Sequence, residues 1–77
     1  MDLYVLTQAG REAIVKLHKR GRGEEASILE YVERVDGATV EQVAWFMHLD
    51  ESEAYDKLRS LSAKRWVWHK TTKLTLF

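Results

Sequence analysis

Hydrophobic positions along the chain follow two spacings, and the switches between them divide it into short elements. Leu3-Tyr4-Val5-Leu6 is a continuous β-prone run, and Thr7 after it is a suitable helix N-cap. Over residues 8–20, Ile14, Val15, Leu17 and His18 form a helical stripe, with Arg11, Glu12, Lys16 and Lys19 elsewhere on the surface. Gly21-Arg22-Gly23 supplies the stop, so a helix is expected over 7–20. Residues 24–35 repeat the helical period through Ile28, Leu29, Val32 and Val35, and Asp36-Gly37 ends them. Thr39-Val40-Glu41-Gln42 has the form of a capping box. It opens a short helix over 40–48 with Val40, Val43, Ala44 and Met47 inward.

A second box, Asp50-Glu51-Ser52-Glu53, starts a helix over 51–64 that turns Ala54, Leu58 and Leu61 inward. Trp66-Val67-Trp68 and Leu74-Thr75-Leu76-Phe77 are β-rich. The polar stretch His69–Lys73 between them reads as a hairpin tip. The elements form one domain of 77 residues: a strand and helix over 1–23, three helices over 24–65 and a hairpin over 66–77. The expected class is mainly α with a small β-hairpin, an α+β arrangement.

Composition narrows the function. A chain that is 45% hydrophobic and 31% charged suits a globular fold. It has no cysteine, which excludes disulfides and thiolate metal ligands. No apolar run approaches the length of a membrane span, and Met1-Asp2-Leu3-Tyr4 lacks a signal-peptide pattern, so a cytoplasmic protein away from membranes is expected. The net charge is zero but segregated. Residues 24–56 hold ten acids and one base, whereas 57–77 hold six bases and no acid, and 11–23 hold five bases and one acid. Such separation creates local fields even when the total cancels.

Two capped helices about two residues apart cannot run antiparallel, so a sharp turn near Leu49 is expected. A third, longer helix follows, and a basic hairpin comes directly after it. This order resembles the winged helix-turn-helix DNA-binding domains, in particular regulators of the multiple-antibiotic-resistance and PadR-like type. Residues 27–77 carry the likeness: Ala44 early in the second helix, Leu49 in the turn, Asp50 as N-cap, and Leu58 and Leu61 ahead of Lys64-Arg65-Trp66-Val67. Tyr4-Val5-Leu6-Thr7 with Gly10 is similar to the strand-to-helix exit that often follows a wing. Here it precedes the domain, which suggests an extra strand in the wing sheet. Where many relatives have glycine in the turn and before the first wing strand, this chain has His48 and Arg65, positions that need not be left-handed.

The resemblance implies sequence-specific binding of double-stranded DNA by a transcriptional regulator, with the third helix in the major groove and the wing on phosphate. The implied nucleic-acid contacts are Ser52, Tyr55, Arg59 and Ser60 on that helix and Lys64, Arg65, His69, Lys70 and Lys73 on and beside the wing. Glu51 and Asp56 count against this, because a carboxylate facing phosphate is repelled; their other role is at the helix start. Lys16, Lys19, Arg20 and Arg22 form either a second phosphate contact or an ordinary solvated helix end. The inward stripe of the second helix is complete without Trp45 and Phe46, so Trp45 points outward and Phe46 lies at the boundary. They mark a candidate interface for a homodimer or a protein partner unless the N-terminal helix covers them. Trp66 is expected in the core, and Trp68 either there or bracing the wing. The alternative function is thus a protein-interaction module in a larger assembly, using the acidic third helix and Trp45; RNA binding by the basic strip is a third. His18, His48 and His69 share no metal-binding spacing, and no phosphate loop or nucleophile elbow occurs. Neither a cofactor nor an enzymatic activity is expected.

Overall fold

The computed structural model describes residues 2–71 and contains four helices and a two-stranded antiparallel sheet, an α+β fold. In chain order these are β1 (Asp2–Leu6), α1 (Gln8–Lys19), α2 (Gly23–Arg34), α3 (Val40–Met47), α4 (Glu51–Ala63) and β2 (Val67–Thr71). The core collects Ile28, Leu29 and Val32 from α2, Val43 from α3, Leu58 and Leu61 from α4, and Val67 from β2, all at most 2% exposed.

The helix starts follow their caps. Thr7 Oγ1 accepts from the Gly10 amide at 3.0 Å. The Thr39 capping box forms in both directions, with Gln42 N donating to Thr39 Oγ1 at 3.1 Å and Thr39 N donating to Gln42 Oε1 at 2.9 Å. At α4 the Asp50 carboxylate accepts from the Glu53 amide at 2.9 Å. The inward face of α1 keeps Leu17 and Ile14 of the expected stripe but not Val15 and His18. Gly10, Ala13 and Leu17 are buried there, whereas Val15 is 58% exposed and His18 lies outside, paired with Glu30 of α2. The close approach of α1 selects small side chains, which a search for large apolar residues passes over.

Between α3 and α4 the chain does bend. His48 takes a left-handed conformation (φ 57°), Leu49 N donates to Ala44 O at 2.9 Å, and Asp50 is extended before α4 begins. Arg65 is also left-handed (φ 62°), with its amide on Ser62 O at 2.9 Å and that of Trp66 on Leu61 O at 3.1 Å. Both residues thus occupy, against expectation, the conformation for which glycine is preferred, at a cost of roughly 1 kcal/mol each. Arg65→Gly is expected to raise stability by about 0.5 kcal/mol or more in denaturant unfolding. An unchanged or lower midpoint would show that the Arg65 side chain makes a compensating interaction.

β1 pairs with β2 in antiparallel register from Leu6↔Val67 to Asp2↔Thr71, and Tyr4 also bridges to Ala38, in both directions, through Tyr4 N to Ala38 O (2.8 Å) and Ala38 N to Tyr4 O (3.0 Å). β1 therefore lies centrally, between the residue preceding the α3 cap and the strand following α4. This corrects the reading of His69–Lys73 as a hairpin tip: His69, Lys70 and Thr71 are strand, and their partner comes from the other end of the chain. The proposed second hairpin strand, 74–77, and Lys73 lie outside the described residues.

The β1–α1 junction is held to the α4–β2 junction at one point. Thr7 N donates to Trp66 O at 3.1 Å, and the Thr7 hydroxyl lies 2.7 Å from Arg65 O and 3.0 Å from Trp66 O. Gly10 sits directly above: a Cβ there would stand 2.1 Å from the Trp66 carbonyl oxygen. The Thr7 and Gly10 pair noted in the sequence is thus a docking device. Threonine supplies cap and cross-link, and glycine leaves room for the carbonyl between them.

Candidate nucleic-acid interface

Residues Ser52, Tyr55, Asp56 and Arg59 share one exposed stripe of α4 because they recur at three- and four-residue spacing. Tyr55 and Arg59 meet the sheet: with Tyr4, Ser62, Ala63 and His69 they line an open hollow of about 280 Å³ between α4 and the strands. The register explains His69. Along β2 the side chains alternate, so Val67, His69 and Thr71 turn toward α4, while Trp68 and Lys70 turn to the other face. His69 stacks on Tyr4, with ring centroids 4.6 Å apart and planes inclined by 7°. Tyr4 is buried, which pushes its phenol pKa up, with smaller contributions from Tyr55 and Asp2.

The remaining sequence-derived contacts separate from this group. Ser60 and Lys64 lie on the flank of α4 that faces the start of α2, around a second hollow of about 400 Å³ with Lys57 and Gly23. Lys64 is engaged there: its Nζ donates to Glu25 at 3.1 Å and stands 4.8 Å from the Trp66 ring centroid. Arg65 is exposed near Trp68 and Ser62, at the root of β2. Lys70 is exposed on the outer face of the sheet. The structure brings together Tyr55, Arg59 and His69, and it places Ser60 and Lys64 around a corner.

Charge segregation along the chain acquires a physical meaning in the fold. Helix α2 supplies Glu24 to Lys57, Glu25 to Arg22 and Lys64, Glu30 to His18 and Glu33 to Arg11. Four of the ten acids of the middle stretch are thus paired within the fold, Glu30 with a histidine and the others with lysine or arginine. Among the described residues, Arg59, Arg65 and Lys70 make no ion pair, while His69 Nε2 lies 3.5 Å from Asp2 Oδ1. Among the described residues, Lys16, Lys19, Arg20 and Arg34 are likewise without an ion pair, so the unpaired cations form two groups, one on α4, β2 and the link between them and one at the ends of α1 and α2. Glu51 and Asp56 remain on the exposed side of α4 as well.

Trp45 is 77% exposed on α3, and Phe46, 37% exposed, stacks on Tyr31 of α2 with centroids 4.3 Å apart. Helix α1 does not cover Trp45. Trp66 is half-buried against the core, and Trp68 is 64% exposed. The hollow itself is invisible in the sequence, because it depends on Tyr4 and His69 becoming cross-strand partners. No family model, curated protein or solved structure matches the chain. Among the described residues, no helix is long and apolar enough to cross a membrane, and no cluster of three metal-binding side chains occurs.

Proposed function

We propose that the chain is a winged helix-turn-helix domain that binds double-stranded DNA as a transcriptional regulator, presenting α4 to the major groove and its sheet to phosphate. The arrangement α2, α3, sharp turn, α4, strand supports the reading, and so does the placement of β1. In a wing, the strand after the third helix pairs with a returning strand that leads into a further helix. Here β2 pairs with β1, and β1 leads through Thr7 into α1. The returning half of the wing is thus supplied by the start of the chain, with Asp2 opposite Thr71 where a wing tip would join them.

The observation that carries the functional half is the distribution of unpaired cations. Four carboxylates of α2 engage basic side chains of α1, α4 and the links beside them, and among the described residues Arg59, Arg65 and Lys70 are unpaired around the α4–β2 corner, a second unpaired group being Lys16, Lys19, Arg20 and Arg34. A polyanion is the partner that such a corner attracts. Lys70 and Lys73 are assigned to phosphate. Replacing both with alanine is expected to weaken binding to every duplex sequence and to lower the slope of log K against log salt by about 2, near 0.9 for each phosphate no longer neutralised. An unchanged slope in fluorescence anisotropy would reject that role.

Trp45 supports a second reading, a protein-interaction module, because a tryptophan 77% exposed beside a stacked Phe46–Tyr31 pair has the make-up of an interface anchor. On the leading reading this patch serves association with a second copy or a protein partner.

A further inference from the structure

We infer that the hollow between α4 and the sheet is a seat for a single backbone phosphate, in which Arg59 grips the anion and Asp2 guards it. The inference rests on the duplex-binding reading and assigns Arg59 to the backbone, not to a base edge. Three features carry it. First, the polar groups around the hollow are rich in donors: the Arg59 guanidinium, the Tyr55 and Ser62 hydroxyls and the His69 ring. A phosphodiester presents only acceptors, as among base edges does guanine with N7 and O6, and a guanine contact would show as a loss confined to particular sequences. The planar fork of arginine matches two phosphate oxygens at once.

Second, the walls are held in place before a ligand arrives. Tyr4 is 3% exposed and fixed by backbone hydrogen bonds to Ala38, and His69 is stacked flat on its ring. Ala63 leaves the hollow open where a longer side chain would fill it. Tyr55, Arg59 and Ser62 stand at i, i+4 and i+7 on one helix, so their polar ends converge on one side of the hollow without a loop having to order.

Third, an internal carboxylate already marks the place. Asp2 Oδ1 lies 3.5 Å from Nε2 of His69, whose ring lines the hollow, although Asp2 itself does not. A phosphate seated against His69 and Arg59 meets this carboxylate at close range and is repelled by it, so Asp2 lowers affinity and its removal raises it. Asp56 lies one turn before Arg59 on α4 and, unlike Asp2, makes no ion pair among the described residues with a residue lining the hollow.

The experiment is fluorescence anisotropy of a labelled duplex of about 20 base pairs with the full 77-residue chain, across a salt series, for wild type, Arg59→Gln, Arg59→Lys and Asp2→Asn. Circular-dichroism melts confirm that each variant is folded, as expected for exposed positions. Arg59→Gln is expected to weaken binding about tenfold on unrelated duplex sequences alike and to lower the salt slope by about 1. Arg59→Lys should keep the slope, and Asp2→Asn should tighten binding by about two- to threefold. Inorganic phosphate at millimolar concentration is the second arm: competition weaker than that of an equal ionic strength of chloride assigns the seat to polymer phosphate, and stronger competition assigns it to free phosphate. A loss at Arg59→Gln confined to particular base sequences, or an unchanged slope, overturns the inference while duplex binding stands. Failure of the wild-type chain to bind duplex at low salt overturns the reading beneath it.

Discussion

Gly10→Ala is expected to destabilise the protein by about 3 kcal/mol or more, although the same exchange inside an exposed helix stabilises by roughly 1 kcal/mol. The opposite sign is what makes the variant informative. An alanine Cβ would stand 2.1 Å from Trp66 O and 2.7 Å from Leu6 Cδ1. The first of these is backbone, so it cannot be relieved by a rotamer change. Thr7 fixes that carbonyl by its own hydrogen bonds, and Leu6 is committed to β1. Relief requires α1 to lift away, which breaks the threonine cross-link and exposes Ala13 and Leu17. A domain of this size has a total stability of about 4–11 kcal/mol, so the variant would melt at least about 12 °C lower or fail to fold at all. Thermal unfolding by circular dichroism is the measurement; a loss below about 1 kcal/mol would show that the two junctions do not touch as described.

The second large effect is expected at Tyr4. Replacing this 3% exposed ring with alanine should cost about 3–5 kcal/mol, the range for removing a buried aromatic. Tyr4 is where the three parts of the sheet region meet: its backbone bridges to Ala38, its ring stacks on His69 and its strand holds β2. Tyr4→Phe keeps the ring and is expected to change stability by less than about 1 kcal/mol. Trp45→Ala should change it by less still, about 0.5 kcal/mol or under, because that side chain is largely in solvent. Urea unfolding of the three variants side by side separates these cases. A Tyr4→Ala loss no larger than that of Trp45→Ala would remove β1 from the centre of the sheet.

The helices are legible in the sequence because each of three opens on a local chemical signal. Thr7, Thr39 and Asp50 cap them as their hydroxyl or carboxylate demands, and the large apolar residues of α2, α3 and α4 point inward at the spacing they show. The exposed position of Trp45 also follows, since Val43 and Ala44 already occupy the buried face of α3. The facing of α1 is legible in Leu17 and the partly buried Ile14, and hidden in Gly10 and Ala13, whose value lies in being small. The strand at His69–Thr71 is hidden for another reason. Its polar residues fit a turn when judged from their neighbours, and only β1, at the opposite end of the chain, makes them a strand. His48 and Arg65 are compatible with ordinary helix ends, yet both are left-handed, a property of the bends that local composition does not encode.

The candidate site is legible in part for the same reasons. Tyr55 and Arg59 follow from helical phase alone. Their meeting with His69 depends on strand register, and the standing of Lys64 depends on Glu25, which reaches it across the fold from α2. Charge counts along the chain do not distinguish cations held by α2 from those left free.

The most direct test of duplex binding through α4 and the sheet is the amide and tryptophan side-chain NMR spectrum of the chain as an unlabelled duplex is added at low salt. Shifts are expected in one contiguous set over Ser52, Tyr55, Arg59, His69 and Lys70, with the Trp45 indole unmoved. Shifts centred on Trp45 and Phe46, or a spectrum unaltered at an excess of duplex, would contradict it.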